Sequence, residues 1–159
     1  HGIGLHSNVT IMFGAVEQPV HWARHIVRTR DLQKETGGFT EFVGLPFVHM
    51  ASPIYPQRKA RPGPTFRANL LMHAVARLAY GELIPNIQAS WVKVGLDGVA
   101  QMMQAGCNDL GGTLINENIS RAAGASHGQE MTGDRFAEFA ASIGRPLEQR
   151  TTSYGRVAV

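Results

Sequence analysis

A chain of 159 residues, 43% hydrophobic and 17% charged, has the length for one globular domain with a real core, and no apolar run in it approaches the roughly 20 residues that span a bilayer. Its net charge of +3 is scattered, with a dense basic patch only at Arg58-Lys59-Ala60-Arg61 in a Pro/Gly-rich loop, so a solvated loop is expected rather than a nucleic-acid surface. The single cysteine, Cys107, excludes an internal disulfide framework and a self-contained iron–sulfur site.

Ser7 to Gly14 reads as a first strand, with Val9, Ile11 and Phe13 alternating against Thr10, Met12 and Gly14. Pro19 suits a helix start, Val20, Ala23, Ile26 and Val27 recur on one helical face, and Thr36-Gly37-Gly38 ends the helix. Phe39 to Val48 reads as a second strand, nearly continuous in apolar residues as when both faces are buried. A loop through Pro53, Pro56, Pro62, Gly63 and Pro64 follows, and loops of that length are often functional. The next helix carries Phe66, Leu70, Ala74, Val75 and Leu78 on one face. Strand three is placed from Ile84 to Trp91 and strand four from Asp109 to Leu114, with a short helix through Leu96, Val99, Met102 and Met103 between them. A last amphipathic helix through Phe136, Phe139, Ala140 and Ile143 stops at Gly144.

Strands alternating with helices at this spacing mean parallel βα units. Four such units are half of a (β/α)8 barrel, which typically takes about 250 residues; a small doubly wound sheet is the alternative. The half-barrel is preferred because polar residues share strand faces: Asn86, Gln88 and Ser90 on strand three, and Asp109, Gly111 and Thr113 on strand four. A barrel interior can use such groups near the strand C-termini, whereas an open sheet covered by helices has no place for them.

Several runs of sequence, in order, then carry a resemblance. They are Thr10-Ile-Met-Phe-Gly-Ala-Val-Glu17, Glu35-Thr-Gly-Gly-Phe-Thr-Glu-Phe-Val-Gly-Leu-Pro-Phe-Val-His49 and Asn86-Ile-Gln-Ala-Ser-Trp-Val-Lys93. Asn108-Asp-Leu-Gly-Gly-Thr-Leu114 with Glu117 and Ile119-Ser-Arg121, and Gln149-Arg-Thr-Thr-Ser-Tyr154, complete them. Together these runs resemble the C-terminal half of the hydroxybenzyl-transferring part of the FO synthase family, radical S-adenosylmethionine (SAM) enzymes of deazaflavin biosynthesis.

The resemblance implies that residues 1–159 are a partial radical SAM barrel domain, strands five to eight of a TIM-type (β/α) barrel with a C-terminal helix and tail. It places the Cys-x-x-x-Cys-x-x-Cys ligands of a 4Fe-4S cluster in an N-terminal half absent here, so this piece alone is expected to be inactive. The implied cofactors are S-adenosyl-L-methionine and that cluster. The implied reaction moves a 4-hydroxybenzyl group from tyrosine to 5-amino-6-(D-ribitylamino)uracil, after a deoxyadenosyl radical takes hydrogen from tyrosine. A ring-closing radical SAM partner, fused or separate, is implied as well. The cytoplasm is the expected compartment, with no membrane or nucleic-acid partner.

The resemblance puts Thr10, Met12, Gly14 and Glu17 at the adenosyl part of SAM. Gly14 would leave room for a flat ring, and Glu17 would accept hydrogen bonds from ribose hydroxyls, or else be a solvated helix-start carboxylate beside a turn glycine. On that view Glu17→Ala weakens SAM binding more than folding. Glu41 would orient a substrate amine or ring nitrogen, or form an ion pair at the barrel bottom; His49 would donate to a phenol or carboxylate, or sit in a loop. Gln88 and Ser90 would face the uracil edge or ribityl chain, with Trp91 turned to the helix layer and Lys93 a carboxylate anchor or surface charge. Asp109 and Thr113 would line the same pocket beside Gly111, or belong to a glycine-bearing strand bending at a corner, and Glu117 would follow in the segment after it. His21 and His25 lie one helical turn apart, as metal ligands can, but read as surface histidines, and Cys107 reads as buried packing. A radical SAM enzyme of the futalosine route to menaquinone, sharing the Thr-Gly-Gly-Phe run, is the nearest rival; a non-catalytic half-barrel binding module is the other.

Overall fold

The computed structural model describes residues 1–113, 122, 124 and 130–157. Strand β1 (Ser7–Phe13), helix α1 (Pro19–Thr36), strand β2 (Phe39–Pro46) and helix α2 (Phe66–Tyr80) follow in order. Strand β3 (Ile87–Gln88), helix α3 (Trp91–Gln104) and helix α4 (Gly133–Ser142) come after them. The sheet is parallel, in the order β1-β2-β3, so neighbours in sequence are neighbours in space. Such connections need crossovers, and α1 and α2 supply them, packed on β1 and β2 and against each other.

The start and stop of α1 follow from local chemistry. Pro19 occupies the first turn, where its missing N–H costs nothing, and Gly37 ends the helix at φ 62° with its N–H bonded to the Gln33 carbonyl. The buried face is not the apolar one expected, however. Val20 and Val27 are exposed, while Ile26 and Gln33 are buried. The helix is rotated because its polar residues find partners on the sheet side. The Gln33 amide donates to the carbonyls of Phe39 (3.0 Å) and Leu83 (2.8 Å) and accepts from Phe39 N–H, and Thr29 shares a hydrogen bond with the Tyr80 hydroxyl at 2.7 Å. A buried amide with all its groups paired is tolerated in a core.

Helix α2 shows the same correction. Leu78 is 85% exposed and Val75 41%, whereas Asn69, Met72, His73, Ala76 and Tyr80 face inward. Thr65 caps it, its hydroxyl accepting from Ala68 N–H. The His73 ring packs over Gly44 of β2, where an added Cβ would lie 2.8 Å from the ring, and meets Phe42 edge-on. Burial pushes the His73 pKa below its usual 6.5, against the raising effect of the Asn69, Gln88 and Gly44 carbonyls. Since the folded value is the lower one, the unfolded chain takes up the proton first, and stability falls as the pH drops through 6.5. Urea denaturation at pH 7.5 and 5.5 should show a drop for wild type, at most about 1.4 kcal/mol per pH unit from one such group, that is reduced in His73→Gln. An equal drop in both proteins would remove His73 as its source.

The two later strands are shorter than expected. Pairing on β3 ends at Gln88, and Trp91, expected as the end of a strand, instead opens α3 with Ser90 at its N-cap position. Ile84, Ile87, Ala89, Trp91 and Val92 are all buried, so the apolar run continues across a strand-to-helix change that periodicity does not reveal. Among the described residues the fourth strand is a single parallel bridge between Gln88 and Asp109. Gly111 then turns the backbone away at φ 76°, a conformation glycine adopts freely. The expected strand end at Leu114 lies outside the described residues. Helix α4 buries Phe136, Phe139 and Ala140, with Phe136 edge-on to Trp91 at 6.4 Å. No helix among the described residues is long and apolar enough to cross a membrane.

Candidate active site

The sheet has two unlike faces. Val9 and Phe13 of β1 and Phe42 of β2 are buried, and the rings of Phe13 and Phe42 meet Trp22 of α1 and His73 of α2. On β1 the alternate residues Thr10 and Met12 are exposed, Met12 to 61%. The parallel register pairs Thr10 with Val43, Val43 with Gln88, and Gln88 with Asp109. Partners across a sheet share a face, so Thr10, Gln88 and Asp109 stand in one row, with Glu41 two residues before Val43 on the same side.

Two groups of polar side chains flank this row. The first is the turn after β1. Gly14 has φ 94°, and an added Cβ would lie 2.2 Å from the Pro64 side chain, so the space expected to admit a flat ring holds the Pro64 loop. The Glu17 carboxylate folds back over the turn. One oxygen accepts from Gly14 N–H and, at 2.8 Å, from the Trp22 indole; the other accepts from Ala15 N–H (3.1 Å) and Val16 N–H (3.0 Å). Four donors account for the roughly four lone-pair directions of a carboxylate. Glu17 is therefore half-buried and engaged by its own turn, rather than free for ribose hydroxyls, in this arrangement. Burial alone would raise its pKa, but hydrogen bonds led by the Gly14 N–H hold it below the usual 4.5. Arg61, from the basic loop expected to be merely solvated, donates through its guanidinium to the Glu17 carbonyl and to the Ala15 carbonyl at 3.3 Å.

The second group joins residues far apart in sequence. Tyr154 donates or shares its hydroxyl hydrogen with Glu41 Oε2 and Asp109 Oδ2. Arg150 Nε donates to Asp109 Oδ2 at 2.6 Å, its Nη2 lies 3.5 Å from Glu41 Oε2, and its guanidinium stacks 4.0 Å over the Tyr154 ring. The other Asp109 oxygen accepts from Gly111 N–H at 2.6 Å. Burial opposes the Arg150 cation, but Asp109 and then Glu41 outweigh it and raise its pKa; burial and the same two carboxylates raise that of Tyr154. Glu41 thus has the ion pair that was one of its two readings.

The remaining expected residues are dispersed. Ser90 stands at the N-cap position of α3, past the end of β3, and so does not share a strand face with Gln88, as expected from an unbroken strand. His49 lies in the loop after β2 with its ring 4.4 Å from that of Tyr55, and Thr113 is exposed. Glu117 lies outside the described residues. His21 accepts from Gln18 N–H at the start of α1, and no group of three metal-ligating side chains occurs among the described residues. Cys107 is buried, as expected, with its thiol pushed up to about 12 by burial. Arg150 and Tyr154 went unassigned in the sequence, where only the run Gln149–Tyr154 stood out; Arg61 stood out only as part of the basic patch, and Trp22 carried no pattern at all.

Comparison with known proteins places this geometry in context. Residues 36–155 match the family model described as the CofH/MqnC C-terminal region. An FO synthase of Nocardia farcinica is 54% identical over 157 residues, covering 99% of this chain and 18% of that protein. An FO synthase of Mycobacterium tuberculosis is 50% identical over 158 residues, with the same coverage. A 5-amino-6-(D-ribitylamino)uracil–L-tyrosine 4-hydroxyphenyl transferase of Methanopyrus kandleri is 48% identical over 159 residues, covering 100% of this chain and 43% of that protein. The chain spans less than half the length of these curated relatives.

Proposed function

Because the chain belongs to the CofH/MqnC C-terminal region family, we propose that it is the C-terminal part of a radical SAM transferase of deazaflavin biosynthesis. Its substrates would be tyrosine and 5-amino-6-(D-ribitylamino)uracil, the pair in the name of the Methanopyrus relative. β1, β2, β3 and the Asp109 segment would supply barrel strands five to eight, a reading supported by their all-parallel, sequential order. The observation that carries the functional reading is the row Thr10, Gln88 and Asp109, which presents polar groups on the face not covered by α1 and α2.

Thr10 and Met12 would meet the adenosyl part of SAM, one with a hydroxyl and the other with an exposed thioether, while Gly14 and Glu17 shape the turn beside them. Bound at a 4Fe-4S cluster held by another part of the complete polypeptide, SAM supplies radical chemistry that no side chain provides. Gln88 would hydrogen-bond the uracil edge or ribityl chain. His49, Ser90 and Thr113, each in a segment leaving a strand position, would border the same ligand, with Glu117 further along the chain.

An apolar substrate would leave the Gln88 amide unpaired at a cost of about 1–3 kcal/mol, whereas a ribitylaminouracil offers both donors and acceptors. In the complete enzyme, Gln88→Leu should therefore lower coupled product about tenfold or more while deoxyadenosine formation with tyrosine stays near wild type. Quantifying both products in one reaction checks this. Equal loss of both would make Gln88 structural or a SAM ligand.

A further inference from the structure

The hairpin formed by residues 150–156 meets the uncovered face of the sheet. It is a tight turn: Arg150 bridges Arg156, Thr151 N–H donates to the Gly155 carbonyl at 2.8 Å, and the Thr151 hydroxyl accepts from Gly155 N–H at 2.9 Å. Tyr154 sits within it at φ 61°, a left-handed conformation that a bulky residue rarely adopts. An outlier of this kind persists where its surroundings demand it, and such residues concentrate at functional positions. Here the conformation delivers the phenol to Glu41 and Asp109 at once.

We propose that this hairpin is the floor of the substrate pocket, and that Arg150 and Tyr154 are positioning residues that set the Gln88 wall through Asp109. The proposal rests on the functional reading above and adds to it which residues hold the diaminouracil subsite in place. Level follows from register: Glu41 lies two residues before Val43, the partner of Gln88, and Asp109 is itself level with Gln88, so the hairpin contacts lie at the Gln88 level and toward the strand N-termini, while the Gly14 turn and Pro46 lie at the other end. A pocket opening at the C-terminal ends of the strands has its floor on the hairpin side. The connection to Gln88 is continuous. Arg150 and Tyr154 hold one oxygen of Asp109, the other oxygen holds Gly111 N–H, and Gly111 lies against the Gln88 amide so closely that an added Cβ would come within 2.4 Å of Nε2. Neither hairpin side chain needs to touch substrate to act. Two carboxylates on the segments either side of β3 repel each other, and the cation with the shared phenol lets them converge.

The test uses the complete enzyme with SAM, a reductant, tyrosine and 5-amino-6-(D-ribitylamino)uracil. Tyr154→Phe keeps the ring and its stacking but removes both hydroxyl contacts; Arg150→Met removes the cation, and Arg150→Lys restores charge without the planar fork. Tyr154→Phe and Arg150→Met should each lower coupled product per deoxyadenosine about tenfold and raise the KM for the diaminouracil, with deoxyadenosine formation and the KM for SAM within about twofold of wild type. Arg150→Lys should recover part of the coupling. An unchanged product ratio in both variants would overturn the proposal. So would a proportional fall in both products that tracks a lowered melting temperature, because the hairpin would then be a structural latch only. The underlying functional reading is judged on wild type alone: deoxyadenosine without any adduct from this substrate pair would remove it, whatever the variants do.

Discussion

Replacing Arg77 by alanine should lower the stability of the complete polypeptide by about 3 kcal/mol or more, since hydrogen bonds from a charged donor contribute about 1.5–3 kcal/mol each and do not add fully. Arg77 lies on α2, but all three of its partners lie in the segments framing β3. Nε donates to the Gly106 carbonyl (2.7 Å), Nη1 to the Pro85 carbonyl (2.7 Å) and Nη2 to Asn108 Oδ1 (2.8 Å). Asn108 passes the constraint on, accepting from Ile87 N–H and donating to the Pro85 carbonyl. The stem also fills the space over Gly106, where an added Cβ would lie 2.8 Å from Arg77 Cγ. Arg77→Lys should recover little, because a point charge cannot reach three acceptors in one plane. Urea denaturation of both variants measures this, and a loss under about 1 kcal/mol for Arg77→Ala would show that the segments hold without the clamp. Because β3 carries Gln88, adduct formation should fall with the clamp.

Glu17→Gln should show the second large effect, on folding and SAM binding together. The amide nitrogen would face backbone N–H donors where a carboxylate oxygen now accepts, leaving part-buried donors such as Gly14 N–H and Ala15 N–H unpaired at a cost of about 1 kcal/mol or more in all. This reverses the order of effects expected from a solvated carboxylate. The expected result is a lowered melting temperature together with a SAM affinity reduced about tenfold, read on the same samples by calorimetry. Acid should mimic the substitution: the folded carboxyl pKa is below 4.5, so its contribution is present above pH 4.5 and lost as the pH falls through the folded value. Weakened SAM binding with an unchanged melting temperature would mean that Glu17 serves the ligand directly.

The parts of the fold legible in the sequence are those set by neighbouring residues. Pro19 and Gly37 bound α1, and alternation along Ser7–Phe13 marks β1. What sequence order hides is pairing at a distance. Gln33 reaches Leu83 and Thr29 reaches Tyr80, so α1 buries a partly polar face that a hydrophobic pattern points outward. Asn69 and His73 have the same effect on α2. Strand three is over-read because a buried apolar run looks alike in strand and helix, and Gly111 ends pairing one residue after a hydrophobic one. For the site, Thr10, Gln88 and Asp109 come together as a polar row that alternation foreshadowed. Glu17 and Gly14 were singled out for a ligand but are engaged by Trp22 and Pro64. Arg150 and Tyr154 escape any local rule because their partners, Glu41 and Asp109, lie 41 to 113 residues away in the chain.

The most direct measurement of the functional account is product formation by the complete polypeptide with its iron–sulfur cluster reconstituted. Given SAM, a reductant, tyrosine and 5-amino-6-(D-ribitylamino)uracil, it should yield deoxyadenosine together with the 4-hydroxybenzyl adduct of the diaminouracil, and neither substrate should be replaceable by one from the futalosine route. Turnover of a futalosine-route substrate, with no adduct formed from tyrosine and the diaminouracil, would contradict it.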